Sequence, residues 1–178
     1  MANGTRGAER LPTAPVVLLL IDVVNPMDFD GAERLLPAAR TAAARIAPLA
    51  ARARAAGVPV IYVNDNFDCW HLGFHELIEK FEREGVPGLP IIRTGLEVLL
   101  RRLHARTLVL TGFAADICVL FTANDAYMRG FRVVVPADCV ASEREEDNAH
   151  ALRHMARLLK AEVTASSDLD LERLGAAA

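Results

Sequence analysis

The sequence predicts a three-layer αβα protein of the α/β class, built on an open parallel sheet of five to six strands. Three observations carry this. Strand-like and helix-like segments alternate along the chain as β-α-β-α-β-α-β-α-β, the order that builds parallel sheets with helical crossovers. The first strand-like run, "VVLLLIDVVN" (16–25), is apolar on both faces, as in a strand covered by helices on both sides. The chain has 178 residues, 52% of them hydrophobic and 24% charged, enough for one domain with a substantial core.

The elements follow in order. The run at 16–25 is the first strand and ends in Asp22 and Asn25. "LLPAARTAAARIAPLAARARAAG" (35–57) has apolar residues at helical spacing, with a kink or restart expected at Pro48 and a cap at Gly57. "VPVIYVND" (58–65) is the second strand. "FHELIEKFEREG" (74–85) reads as a short helix, "VPGLP" as a loop and "GLEVLLRRLHA" (95–105) as a helix. "TLVLTG" (107–112) is a strand. "ICVLFTANDAYMRG" (117–130) is a helix with Val119, Thr122, Ala123 and Ala126 on one face and Gly130 as cap. "FRVVVPADCV" (131–140) is a strand. The helix over 145–161 is acidic at its start and basic towards its end, as its dipole favours. "EVTAS" (162–166) is the last strand. Residues 1–14 are expected to be a flexible tail before a single domain over 15–178, and their polar character is not that of a signal peptide.

Composition narrows the partners. The net charge is -3 and no basic patch stands out, which argues against nucleic acid. The longest apolar run, "PVVLLLI", is too short to span a bilayer. Cys69, Cys118 and Cys139 form no CxxC pair, so reduced thiols and a cytoplasmic location are expected. A small-molecule substrate is the expected partner.

In open parallel sheets ligands sit beyond the carboxyl ends of the strands. Those ends carry Asp22 to Asn25, then Asn64, Asp65 and Asn66, then Phe113 to Cys118, then Asp138 and Cys139. Cys118 opens a helix, whose N–H groups and dipole favour a thiolate and can hold an oxyanion. A neighbouring Asp22 could accept the thiol proton, although its charge alone opposes the thiolate. On the residues alone, Cys118 is open to two readings, a nucleophile or a packed small hydrophobe.

Three stretches, "LLLIDVVN", "VPVIYVND" and above all "LVLTGFAADICVLFTANDAYMRGFRVVVPADCVAS", resemble the isochorismatase-like cysteine hydrolase superfamily. The superfamily includes isochorismatases, nicotinamidases and N-carbamoylsarcosine amidases. The resemblance spans about residues 15 to 166 and implies a parallel sheet flanked by helices. It implies a triad of Asp, Lys and Cys, in which Asp22 and Cys118 match the acid and the nucleophile. It also implies an oxyanion loop over Phe113 to Ile117, with a non-proline cis peptide at Phe113–Ala114 and the N–H groups of Ala114 and Cys118 as donors. Relatives are commonly dimers or tetramers, so a homodimer or homotetramer is expected.

The sequence departs from the family pattern at the lysine. The family carries it on a third strand, in a segment resembling "VLKPKHSAF". Here "EGVPGLPIIRTGLEVLL" (84–100) runs almost directly into the next helix. Lys80 and Arg93 are the stand-ins to weigh, and Arg93 cannot shuttle a proton because its pKa exceeds about 12.

The other polar residues have quieter readings. Asn25 and Asn66 suit substrate orientation, as well as turns. Phe67, Trp70 and Phe113 suit pocket walls, the first two equally dimer packing. Asp65, Asp68, His71 and His75 do not reproduce a relative's metal spacing cleanly, so no metal and no cofactor are expected. Cys139 reads as structural, Asp138 as a tether for the strand-to-helix loop, and His104, His150 and His154 as surface or packing residues on helices.

The resemblance implies a cysteine hydrolase that cleaves a C–N bond of a small amide or ureide through a Cys118 thioester. Two alternatives stand beside it. One is an isochorismatase-type vinyl-ether hydrolase using Asp22 as acid. The other is a weakened or silent member of the family that lacks the lysine segment.

Overall fold

The computed structural model describes residues 13–25, 27–64 and 93–176. The strands are β1 (Val16–Ile21), β2 (Val60–Val63), β3 (Thr107–Phe113), β4 (Arg132–Pro136), β5 (Val140–Ala141) and β6 (Glu162–Thr164). The helices are α1 (Ala32–Ala55), α2 (Arg93–Arg102), α3 (Leu120–Met128), α4 (Glu145–Leu158) and α5 (Leu171–Ala176). The sheet runs β2-β1-β3-β4-β6, with two-residue β5 pairing on β3. Each of these pairings is parallel. The expected open parallel α/β sheet is therefore the observed one.

The apolar run at β1 has a direct structural cause, since all six of its residues are buried. Val17, Leu19 and Ile21 enter one core with Val119, Ala123, Ala151 and Met155 of the helical segments on that side. Val16, Leu18 and Leu20 enter the opposite core with Leu35, Ala39, Ile46 and Leu49 of α1. A strand with a core on each face cannot alternate polar and apolar residues, because every side chain leaves water.

Four elements differ from the sequence expectation. Helix α1 starts at Ala32, behind a left-handed Gly31, and runs unbroken through Pro37 and Pro48. Its buried face continues on both sides of Pro48, with Ile46 before and Leu49, Ala50 and Ala53 after. Packing of that face outweighs the single hydrogen bond a proline removes. The strand expected over 131–140 divides, because a short 3₁₀ turn, Ala137–Cys139, interrupts it after Pro136. Asp138, within that turn, accepts 2.7 Å hydrogen bonds from the N–H and hydroxyl of Ser166. The strand-to-helix loop it tethers is the one between β6 and α5. Burial raises the Asp138 carboxyl, but the two Ser166 bonds, a backbone hydrogen bond within Asp138 and the Arg45 charge together hold it below the ordinary range. Helix α5, anchored by buried Leu171 and Leu174, lies beyond the last expected element. His104 falls past the end of α2, exposed and in a left-handed conformation. The helix expected at 74–85 and the lysine-segment departure lie outside the described residues, except where α2 begins.

At the carboxyl ends of the two central strands there is no room for a side chain. Gly112 pairs with Ile21 and has φ +120°. A Cβ built there would lie 1.9 Å from the Ile21 carbonyl oxygen, a backbone atom that cannot swing aside. By contrast, Gly57, with φ +69°, has open space around its Cβ position.

Gly112→Ala is therefore expected to lower unfolding stability by about 3 kcal/mol through forced overpacking. Gly57→Ala should cost only about 1 kcal/mol, from the left-handed backbone alone. Urea denaturation of both variants checks the ordering, and equal losses would contradict the contact.

Candidate active site

Three strand ends build one cleft. Asp22 follows β1 directly, with φ 51°, and only 7% of its surface is exposed. Its N–H donates to the Val63 carbonyl at 2.8 Å, which carries the β1–β2 ladder one residue past the strand. The loop beyond it is held in two places. Asn64, buried at the end of β2, donates its side-chain N–H to the Val24 carbonyl. The Asn25 side-chain oxygen accepts the Met27 N–H at 2.8 Å, a turn that Asn commonly makes.

The segment after β3 is shaped by its backbone. The Phe113–Ala114 peptide is cis, as the family resemblance implies. A single π turn, Ala115–Val119, follows and leads without a break into α3. The Ala114 carbonyl accepts N–H bonds from Ile117 at 3.2 Å and Val119 at 3.1 Å. Cys118 sits inside this turn, half-buried, at the N-terminal end of a continuous helical segment. Such an end carries partial positive charge, which favours an anion. Thr122 donates its hydroxyl to the Cys118 carbonyl at 2.7 Å.

A third strand end supports the turn from below. Ser142 follows β5 and is 2% exposed. Its hydroxyl donates to the Asp116 carboxylate and accepts the Asp116 N–H at 3.3 Å. This reciprocal pair fixes the turn that carries Cys118.

The cleft between these loops measures about 660 Å³. It is lined by Asp22, Asn25, Phe113, Ala114 and Cys118, so the structure brings together five of the residues expected at the site. Asn66, Phe67 and Trp70 lie outside the described residues, as do Asp65, Asp68, His71, His75 and Lys80. The side chain of Arg93 is likewise not described. Among the described residues, no group of three His, Cys, Asp or Glu gathers in a metal-holding arrangement.

Sequence reasoning missed four charged residues of the lining, Arg34, Glu143, Arg144 and Asp147, and gave Asp116, inside the oxyanion loop, no role of its own. Arg34 reaches across from α1 to Glu143 at 2.8 Å. Arg144 holds Asp147 through two contacts, of 2.7 and 3.1 Å. Glu143 lies two residues past the end of β5, so the strand-end rule could have found it. Arg34 lies on a helix and gave no such signal.

The second described cysteine behaves differently. Cys139 is fully buried, and burial, followed by the nearby Asp138 charge, pushes its thiol up to about 12. Its expected structural role fits this environment.

Comparison with known proteins gives a consistent answer. The isochorismatase domain family matches residues 16–168. The isochorismatase family protein YaaI of Bacillus subtilis is 33% identical over 175 residues, covering 88% of this chain and 97% of YaaI. The crystal structure of the nicotinamidase PncA from Bacillus subtilis superposes with a TM-score of 0.63 at 25% identity, covering 84% of this chain and 98% of that one. N-carbamoylsarcosine amidase from Thermoplasma acidophilum shares the fold, with a TM-score of 0.65 at 24% identity over 87% of this chain and 98% of that one. No helix among the described residues is long and apolar enough to cross a membrane.

The contrast between the thiols is testable. Native-state alkylation between pH 6 and 9, mapped by mass spectrometry, should leave Cys139 unmodified. The raised Cys139 value also has a stability consequence. Its contribution is fully present below the ordinary thiol value of about 8.5 and is lost as the pH rises towards 12. The urea midpoint should therefore fall above pH 9, and fall less in Cys139→Ala.

Proposed function

The chain belongs to the isochorismatase family, and from that premise we propose that it is a cysteine hydrolase of small amides. The observation that carries the reading is the convergence of Asp22 and Cys118 on one cleft, beside the cis Ala114 peptide and a helix N-terminus. The nicotinamidase and N-carbamoylsarcosine amidase likenesses support a carboxamide or ureide as the bond cleaved.

The Asp22 carboxylate takes the proton from the Cys118 thiol as Sγ attacks the carbonyl carbon. The N–H groups of Ala114 and Cys118 hold the oxygen as it gains negative charge. The C–N bond breaks, and the nitrogen leaves with the proton from Asp22. Asp22 then takes a proton from water, whose oxygen attacks the thioester. The acid product leaves and the proton returns to the Cys118 sulfur. One hard displacement is thereby divided into two easier ones.

The test is ammonia release from nicotinamide and pyrazinamide, with the acid product confirmed by chromatography, and from N-carbamoylsarcosine, with sarcosine confirmed after loss of carbon dioxide. Cys118→Ala and Asp22→Asn should each lower kcat/KM by about a thousandfold or more, with folding unchanged by circular dichroism. Hydroxylamine should divert the acyl group to a hydroxamate in the wild type only. Retention of full activity by Cys118→Ala would exclude the thioester route and point to acid catalysis by Asp22 on a vinyl ether.

A further inference from the structure

The short strand β5 delivers a buried hydroxyl to the turn that carries the thiol. Its two residues pair on the last two of β3, Val140 with Gly112 and Ala141 with Phe113. The next residue along β5 is Ser142, and the next along β3 is Ala114, just across the cis peptide. Ser142 is 2% exposed. Its hydroxyl uses both of its functions on one residue. It donates to the Asp116 carboxylate and accepts the Asp116 N–H at 3.3 Å. Asp116 is part of the cleft lining, and Ser142 lies beneath it.

Asp116 stands midway between Ala114 and Cys118, the two residues whose N–H groups hold the oxyanion in the proposed reaction. The Ile117 and Val119 N–H groups both bond to the Ala114 carbonyl and tie the turn end to end. The Ser142 pair fixes its middle, in backbone and side chain together. That restraint matters because a π turn competes with the ordinary α-helical start these residues could also form. The two arrangements aim successive N–H groups differently. Oxyanion donors act only if they are aimed before the charge develops, so whatever selects the π turn also sets their action.

We infer that Ser142 is a positioning residue for the oxyanion donors, acting through Asp116 to hold the π turn in the geometry that aims them. The inference rests on the reading of Cys118 as the nucleophile, with the Ala114 and Cys118 amides as donors. It goes beyond that reading by placing the control of the donors on a buried hydroxyl from a separate strand.

The experiment compares two reactions of the same thiol in the full chain. Acetylation by p-nitrophenyl acetate passes through a charged oxygen on the carbonyl carbon, as Sγ adds and p-nitrophenolate leaves. Alkylation by iodoacetamide displaces iodide from a saturated carbon and needs no oxyanion donor. Acetylation is read from the burst of p-nitrophenolate, less that of Cys118→Ala, and alkylation of Cys118 by mass spectrometry. Ser142→Ala should lower the acetylation rate at least about tenfold and leave the alkylation rate within about twofold. Asp116→Ala approaches the pair from its more exposed side and should lower the ratio of the two rates at least about threefold. Asp116→Asn, whose amide oxygen can still accept the hydroxyl, should retain more of that ratio than Asp116→Ala. Rates that fall together in Ser142→Ala would show a merely structural role and overturn the inference, leaving the nucleophile reading standing. A ratio unchanged in both Ser142→Ala and Asp116→Ala would overturn it too. A wild-type Cys118 inert to both reagents would remove the nucleophile reading, and this inference with it.

Discussion

The site depends on how closely two parallel strands approach at their carboxyl ends. Ile21 and Gly112 are paired there, with no room for a side chain between Gly112 and the Ile21 carbonyl. Asp22 leaves one strand immediately beyond this contact, and the cis Phe113–Ala114 peptide leaves the other. A Cβ at Gly112 would press on the Ile21 carbonyl, and the acid and the thiol would then start from positions displaced relative to one another. The strands themselves are held by burial on both faces, so the approach is set by core packing and not by the loops.

The loops and strand ends are then fixed by a few side-chain hydrogen bonds between neighbouring segments. Asn64 holds the segment after β1. Ser142 holds the turn with Cys118. Asp138 holds the segment after β6, and Thr111 donates to the Leu19 carbonyl at 2.9 Å within the sheet. Asn64, Thr111 and Ser142 are buried, where a lost partner costs more than the bond itself gains. The charged pairs at the mouth are of another kind. Arg34 and Glu143 are half-exposed, so their pairing contributes little stability.

The strands and the cysteine were legible in the sequence because they obey local rules. A strand buried on both faces, as at 16–21, must read as a continuous apolar run, and the strand-end rule then points to Asp22 and Cys118. The resemblance placed the cis peptide, which no local pattern would have shown. Other features depend on contacts distant in the chain. Arg34 meets Glu143 across 109 positions, and Asp138 meets Ser166 across 28. No window of sequence contains such a pair. The persistence of α1 through Pro48 was hidden for a related reason, since the core beneath the helix decides it and not the proline. The π turn at Ala115–Val119 was hidden too, because its residues match an ordinary helix start.

The pairing of the two central strands also sets a timetable for the chain as it leaves the ribosome. Thr111 and the Leu19 carbonyl it binds are 92 residues apart. At about 5–20 residues per second, on the order of ten seconds separates the synthesis of one from that of the other. During that interval β1, the most apolar segment of the sheet, can pair with β2 but lacks its other neighbour. Its six buried residues are then a sticky edge on an unfinished protein. The strand that supplies the acid of the cleft is thus made early, and must wait for the strand that leads to the thiol.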